Sequence, residues 1–258
     1  MKLIINADDF GLTIPVSQGI IKCIREGVVT ETSAIVNSCY FLNSSRIALF
    51  NGIKTMGLHC LLTVGRPISN PSDIPSLLNE EGSFHSRNDF ENLTLNIDEV
   101  KLELEAQIRK FKSSGLILNH LTTHHGFMTK NEEIHKLFID LAKENDVPLR
   151  NELSRKVGSV ESIHFYKLVD IKCVDKLYFN HNLPYHSLDR IINFLMNAND
   201  RYQIVEIGCH PGFSDEILRK VSILNDDREK EMEVFLDNRL KVELERLEID
   251  LISYNNIK

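Results

Sequence analysis

Short runs of β-branched and aliphatic residues alternate with longer amphipathic stretches along this chain, and that alternation most restricts its fold. The first run, Leu3-Ile4-Ile5, has the pattern of a buried strand. Thr13 follows as a candidate N-cap, Pro15 falls near the first helical turn, and a helical pattern runs through Arg25. Further strands are predicted at 28–37, 56–63, 116–121, 147–150, 169–174, 203–210 and 249–254. Helices are predicted at 42–50, 97–114, 131–145, 187–197 and 227–247, with Gly115 stopping the second of them. Strands alternating with helices imply a parallel sheet. Seven or eight such units without a compositional break predict one α/β domain over residues 1–258, a (βα) barrel rather than an open sheet with an added domain.

Hydrophobic residues make up 42% of the chain and charged residues 26%, enough for a substantial core. A net charge of −7 and a pI near 5.8 leave no basic footprint, which argues against a nucleic-acid partner. No apolar run approaches the ~20 residues of a membrane span, and no leader pattern precedes the first strand. Five scattered cysteines without a CxxC pair read as reduced thiols. The expectation is a cytoplasmic protein with no membrane partner; a homodimer is left open. Cys60 beside His59 and Cys209 beside His210 read as small buried hydrophobes rather than ligands. Residues 64–95, with Gly65, Pro67, Pro71, Pro75 and Gly82, show little periodicity and read as a functional loop or lid, with a disordered excursion as the alternative.

The polar residues are the informative ones. Asp8 and Asp9 end the first strand, where α/β folds place their chemistry. Strand alternation predicts that they point in different directions, so that one holds a metal while the other takes a proton. The plain alternative is a solvated turn that caps the helix. His59, His120 with His124 and His125, Arg150 and His210 also fall at or just beyond strand ends. In a parallel barrel those ends share one face. One carboxylate and two imidazoles with open positions suit zinc, iron, manganese or nickel; magnesium, which prefers oxygen, is less expected. His85, His135, His164, His181 and His186 read as structural, and His120 as a core residue or one that orients a neighbour.

The stretches NADDFGLT (6–13), GVVTETSAIVN (27–37), GLHCLLTVGRP (57–67), HLTTHH (120–125) and CHPGF (209–213) resemble the YdjC family of carbohydrate deacetylases, and Arg228-Glu229 resembles a family Arg-Glu pair. The resemblance covers nearly the whole chain. It implies a distorted TIM-like barrel that removes acetyl groups from N-acetylated sugars such as chitooligosaccharides. By position it implies Asp9, His59 and His124 as metal ligands, Asp8 as base and His210 as acid. It implies magnesium as the divalent ion, against the preference argued from donor softness, which leaves zinc or another transition metal open. The chain departs from the family's His-x-Asp-Ser-His-x-His-x-His, with Thr122 for the Asp and Gly126 and Met128 for the last two histidines.

Amide hydrolysis needs an activated water, a polarised carbonyl and a proton for the leaving amine. Asp8 and His210 would move the protons, and Arg150 would hold Asp8 ionised or else pair with a surface carboxylate. Without Trp in the chain, stacking on a sugar falls to Tyr or Phe. Two rivals remain at this level: a phosphoesterase on the same barrel, which lacks a Gly-rich phosphate loop here, and a non-catalytic sugar-binding or regulatory protein.

Overall fold

The structure, a computed structural model, describes residues 1–90, 92–179 and 186–257. Strand β1 (Lys2–Phe10) leads to α1 (Ile14–Glu26), and β2 (Glu31–Ala34) to α2 (Phe41–Phe50). Strand β3 (Thr55–Cys60) passes through the single turn α3 (Arg87–Phe90) to α4 (Ile97–Ser113). Next come β4 (Ile117–Thr123), α5 (Glu132–Asn145), the short helices α6 (Ser154–Val157) and α7 (Ser159–Leu168), and β5 (Lys176–Tyr178). The chain ends with α8 (Leu188–Ala198), β6 (Ile204–Cys209), α9 (Leu218–Val221), α10 (Asp227–Leu236), α11 (Asn238–Arg246) and β7 (Asp250–Leu251).

The parallel ladders run β5-β6-β1-β2-β3-β4, with β7 beside the start of β1. Beyond β4 the ring continues by backbone hydrogen bonds alone. Leu121 N–H donates to Pro148 O, Arg150 N–H to Leu121 O, and Leu149 N–H to Lys172 O, after which the chain enters β5. The result is the distorted (βα) barrel that the alternation predicts. Thr13 caps α1 by accepting from Val16 N–H at 3.2 Å, and Asn96 and Asn131 cap α4 and α5 likewise.

Alternation along β1 sorts its residues. Leu3, Ile5 and Ala7 join the main core beneath the helices, while Ile4 packs with Val174, Tyr254 and Ile257. The barrel interior above that small cluster is polar. Glu31 accepts from Asn119 at 2.8 Å, Asn119 meets His120 Nδ1 at 2.8 Å, and the His120 ring stacks on Tyr254 at 3.9 Å. The Tyr254 hydroxyl donates to Glu206 at 2.5 Å, and Glu206 accepts from Arg150 at 2.9 Å. Burial drives the Glu31 carboxyl up to about 7, against the hydrogen bonds from Asn119 and Tyr254.

Several boundaries differ from the sequence expectations. The strand predicted at 169–174 is absent: Asp170 turns left-handed (φ 54) as the chain leaves α7, and the strand forms at Lys176–Tyr178. The single helix predicted over 227–247 is two, because Asp237 is extended (φ −67, ψ 123) and restarts the helix by accepting from Arg239 N–H. The last strand shrinks to Asp250–Leu251, and the 3-10 turn Tyr254–Asn256 then sends Tyr254 into the barrel. Segment 64–95 is no excursion. Ile74, Leu77, Phe84 and Phe90 are buried, and Glu103 on α4 accepts from Ile68 and Ser69 N–H while Glu99 accepts from Ser76 N–H. His181 lies outside the described residues. No helix among the described residues is long and apolar enough to cross a membrane.

Gly57 on β3 is set by His120: a Cβ there would lie 2.2 Å from the imidazole. Gly57→Ala is expected to cost about 1–3 kcal/mol in urea denaturation, and adding His120→Ala should recover part of that loss by vacating the space.

Candidate active site

The site begins where β1 stops behaving as a strand. The β1–β2 register shifts between Ala7 and Phe10, and Asp9 takes a left-handed backbone (φ 71). Such a residue costs about 1–3 kcal/mol, and it cancels the alternation. Asp8 and Asp9 therefore do not point apart, as the strand pattern predicts. Both turn towards His59, with Asp8 Oδ2 3.9 Å and Asp9 Oδ1 3.5 Å from its Nε2. Nor are they a solvated turn, since both are buried.

Each carboxylate has its own arginine. Arg150 donates to both oxygens of Asp8, at 2.7 and 2.8 Å, and Arg228 donates to Asp9 Oδ2 at 2.6 Å. Asp8 Oδ1 also accepts from Asn6 and Ser33, each at 2.8 Å. Burial pushes both carboxyls up, but the opposing charges are stronger. Arg150, with His59, holds Asp8 well below the usual carboxylate range, and Arg228, with His124, does the same for Asp9. Of the two Asp8 oxygens, Oδ2 accepts from Arg150 alone and lies on the side of His59.

His59 comes from β3, and His124 stands just past β4. Their rings meet edge to face at 5.3 Å, and His124 Nδ1 lies 3.1 Å from Asp9 Oδ1. One ligand atom from each of Asp9, His59 and His124 falls within 4.8 Å of the others, so the three can hold a metal ion. Nitrogen and oxygen ligands about 2.0–2.2 Å from one ion lie roughly 3.0–3.5 Å apart, close to the spacings found. Asp9 Oδ1 is buried with no hydrogen-bond donor, as a metal-facing oxygen would be. Burial lowers His59 to about 4 despite the two aspartates, which leaves one ring nitrogen unprotonated at neutral pH. The donor set fits a divalent ion and does not identify it.

His210 follows β6. Its backbone N–H donates to Glu231, whose other oxygen accepts from His186 N–H, so one carboxylate from α10 fixes both segments. Around these groups lies a polar cavity of about 360 Å³, lined by Asp8, His59, His124, Arg150, Arg87, Glu152, Arg155, Phe179 and His210. Burial raises Glu152 to about 7, with Arg150 opposing it. The Phe179 ring lies 5.3 Å from the Arg150 guanidinium carbon and against His210 at 5.8 Å. A second cavity of about 250 Å³ shares His124, is also lined by Asp9, and has a mostly apolar surface.

Asp8, Asp9, His59, His124, Arg150 and His210 meet here, and His120 sits below in the barrel. His125 also lines the polar cavity, its left-handed backbone (φ 65) bringing Nδ1 to the Thr63 hydroxyl at 2.9 Å. Met128 is buried in the core. His135 and His186 have structural partners, Tyr166 OH and Gly208 O, each at 2.9 Å. Cys60 and Cys209 are buried free thiols, raised above their usual pKa chiefly by burial. Arg228, Glu206 and Tyr254 were not legible as site residues. Only the Arg228-Glu229 resemblance gave a signal, and it did not say that the arginine reaches Asp9.

The family model described as YdjC-like protein matches residues 2–246. A protein named carbohydrate deacetylase from Enterococcus faecalis (strain ATCC 700802 / V583) is 34% identical over 260 residues, covering 99% of this chain and 98% of its own. Another of that name from Clostridium beijerinckii is 30% identical, covering 100% of both. The crystal structure of an Enterococcus faecalis V583 protein named for cellobiose-phosphate cleavage matches with a TM-score of 0.91 at 34% identity, covering 98% of this chain and 97% of that one.

Arg150→Met should destabilise the fold by about 3–5 kcal/mol at pH 7, because it leaves Asp8 and Glu206 buried without their cation. In the unaltered protein the depressed Asp8 pKa adds stability above the unfolded carboxylate value near 3.9, lost as pH falls through the folded value. In the variant, a buried Asp8 without a cation is protonated more readily than in the unfolded chain. The penalty should therefore shrink as pH falls from 7 towards 4. Denaturant unfolding across that range checks both size and trend.

Proposed function

This chain belongs to the YdjC-like protein family, and we propose that it is a metal-dependent carbohydrate deacetylase that hydrolyses N-acetyl groups of amino sugars, chitooligosaccharides among them. The observation that carries the reading is the convergence of the Asp9, His59 and His124 ligand atoms with Asp8 and His210 at one cavity. The relatives named carbohydrate deacetylase support the substrate class.

Asp9 Oδ1, His59 and His124 would hold a divalent ion. When bound, that ion acidifies water and polarises a carbonyl. Asp8 takes the water's proton on Oδ2. Its pairing with Arg150 makes it a weak base and keeps it ionised at neutral pH. Arg150 thus orients Asp8 rather than touching substrate. His210, on the polar side of the cavity, supplies the proton to the leaving nitrogen. Phe179 offers an apolar face for a sugar ring where the chain has no Trp.

The test is acetate release from N-acetylated mono- and oligosaccharides by metal-stripped protein to which single divalent ions are restored. His59→Ala and His124→Ala should lose tight metal binding. Asp8→Asn should retain metal while turnover falls about 10²–10⁴-fold, as for loss of a general base. Metal content of the purified variants, read beside activity, decides this; folded Asp8→Asn protein without metal would make Asp8 a ligand instead.

Thr122 faces His59 across the β3–β4 ladder, and His59 Nδ1 and Thr122 Oγ1 are both buried without partners. Thr122→Asp offers the imidazole a charged acceptor at the position where the family carries Asp. Such outer contacts change metal affinity about 10–100-fold. Metal titration of stripped Thr122→Asp should show tighter binding; affinity equal to or below that of the unaltered chain would count against this role.

A further inference from the structure

The Asp9–His59–His124 cluster stands between two unlike cavities. On one side are His210, Asp8, Arg87 and Arg155, in a polar space. On the other is the cavity of about 250 Å³, whose surface is mostly apolar, from Leu12, Ile35, Leu61, Val64 and Val221, with Asn37 and Arg66 among its polar lining. Resting on the deacetylase reading, this arrangement fixes how an amide must lie. His210 serves the leaving nitrogen, so nitrogen and sugar occupy the polar side, and the acyl substituent points the opposite way. An acetyl group offers that side one methyl, about the size of a water molecule at roughly 30 Å³. The space is several times larger. Most of its surface is apolar, and Val64 and Val221, at 42% and 50% exposure, carry that surface outward.

We propose that this apolar cavity is an acyl-chain subsite, and that the enzyme also hydrolyses N-acyl amino sugars with acyl groups longer than acetyl, butanoyl in the first instance. The reaction is unchanged in kind. Water oxygen adds to the carbonyl carbon, the C–N bond breaks, a proton passes to the nitrogen, and amine and carboxylate leave. Contact with added methylenes compensates for their ordering, because a methylene in a fitted apolar pocket changes discrimination about 10–200-fold.

The test compares N-acetyl- and N-butanoylglucosamine, and the N-acetyl monosaccharide with its disaccharide, using the full-length, metal-loaded protein. Butanoyl kcat/KM at least equal to acetyl is expected. Val64→Phe and Val221→Phe, which narrow the cavity from separate walls, should each lower the butanoyl-to-acetyl ratio at least about tenfold. A readout independent of turnover is the affinity of the product carboxylates by calorimetry. Butanoate should bind more tightly than acetate, and both variants should erase the difference. The proposal is overturned if butanoyl turnover is more than tenfold below acetyl, or if the variants change disaccharide preference while leaving the acyl ratio unmoved. The second result would make the cavity a sugar subsite. Protein that releases neither acid overturns the deacetylase reading instead, and the carboxylate affinities still decide the cavity: equal affinity for acetate and butanoate excludes an acyl subsite.

Discussion

The guanidinium of Arg150 joins parts of the barrel that the backbone joins only weakly. Between β4 and β5 the ring is closed by a few hydrogen bonds around residues 148–150 and 172, without a regular ladder. From that seam Arg150 reaches Asp8 on β1 and Glu206 on β6, 142 and 56 residues distant in sequence. Taking such charges out of water costs several kcal/mol each, and only dense hydrogen bonding offsets it. Asp8 Oδ1 accepts from Asn6, Ser33 and Arg150, and Glu206 accepts from Arg150 and Tyr254. The contact that positions Asp8 therefore also holds the seam, so the site cannot be loosened without loosening the fold.

How much of this the sequence disclosed depends on the range of the interactions. Local features were legible: the Thr13 cap, the α4 and α5 boundaries, and the placement of His59, His124 and His210 at strand ends. Each rests on contacts a few residues apart or on strand periodicity. The alternation rule failed at Asp9 because it assumes an extended backbone, and a left-handed residue there puts two neighbours on one side. The rule of helix continuity failed at Asp237 because a carboxylate can cap a new helix inside a charged run that reads as one. Glu206 and Tyr254 lie in strand-like and tail-like sequence with nothing to announce them. Their roles come from partners far along the chain, which periodicity does not encode.

The third motif shows why departure from a family pattern need not dismantle a site. His124 sits at the exit of β4, fixed by the ladder from Thr55–Ile117 to Cys60–Thr123. The next two residues are left-handed, so the chain turns sharply while His125 and Gly126 remain on the cavity wall. Gly126 suits that backbone without the strain a side chain would bring, and Met128 then fills core beside Phe127. The two missing family histidines thus fall in a stretch committed here to turning and packing. Thr122 is different in kind, because it faces His59 directly and leaves a buried nitrogen without a partner.

Charge accounting at the cluster bears on its chemistry. Asp8 and Asp9 are offset one for one by Arg150 and Arg228, and His59 is kept neutral by burial. Glu206 adds at most one further negative charge, and burial raises its pKa against Arg150. A divalent ion placed among Asp9, His59 and His124 would leave a positive surplus at the edge of the cavity. Amide hydrolysis develops negative charge on the carbonyl oxygen, and groups arranged beforehand to meet such charge contribute much of the rate in comparable sites. Without the two arginines, Asp8 and Asp9 would themselves offset the charge of a bound ion. With the arginines in place, a bound cation would keep a net charge to present to a substrate.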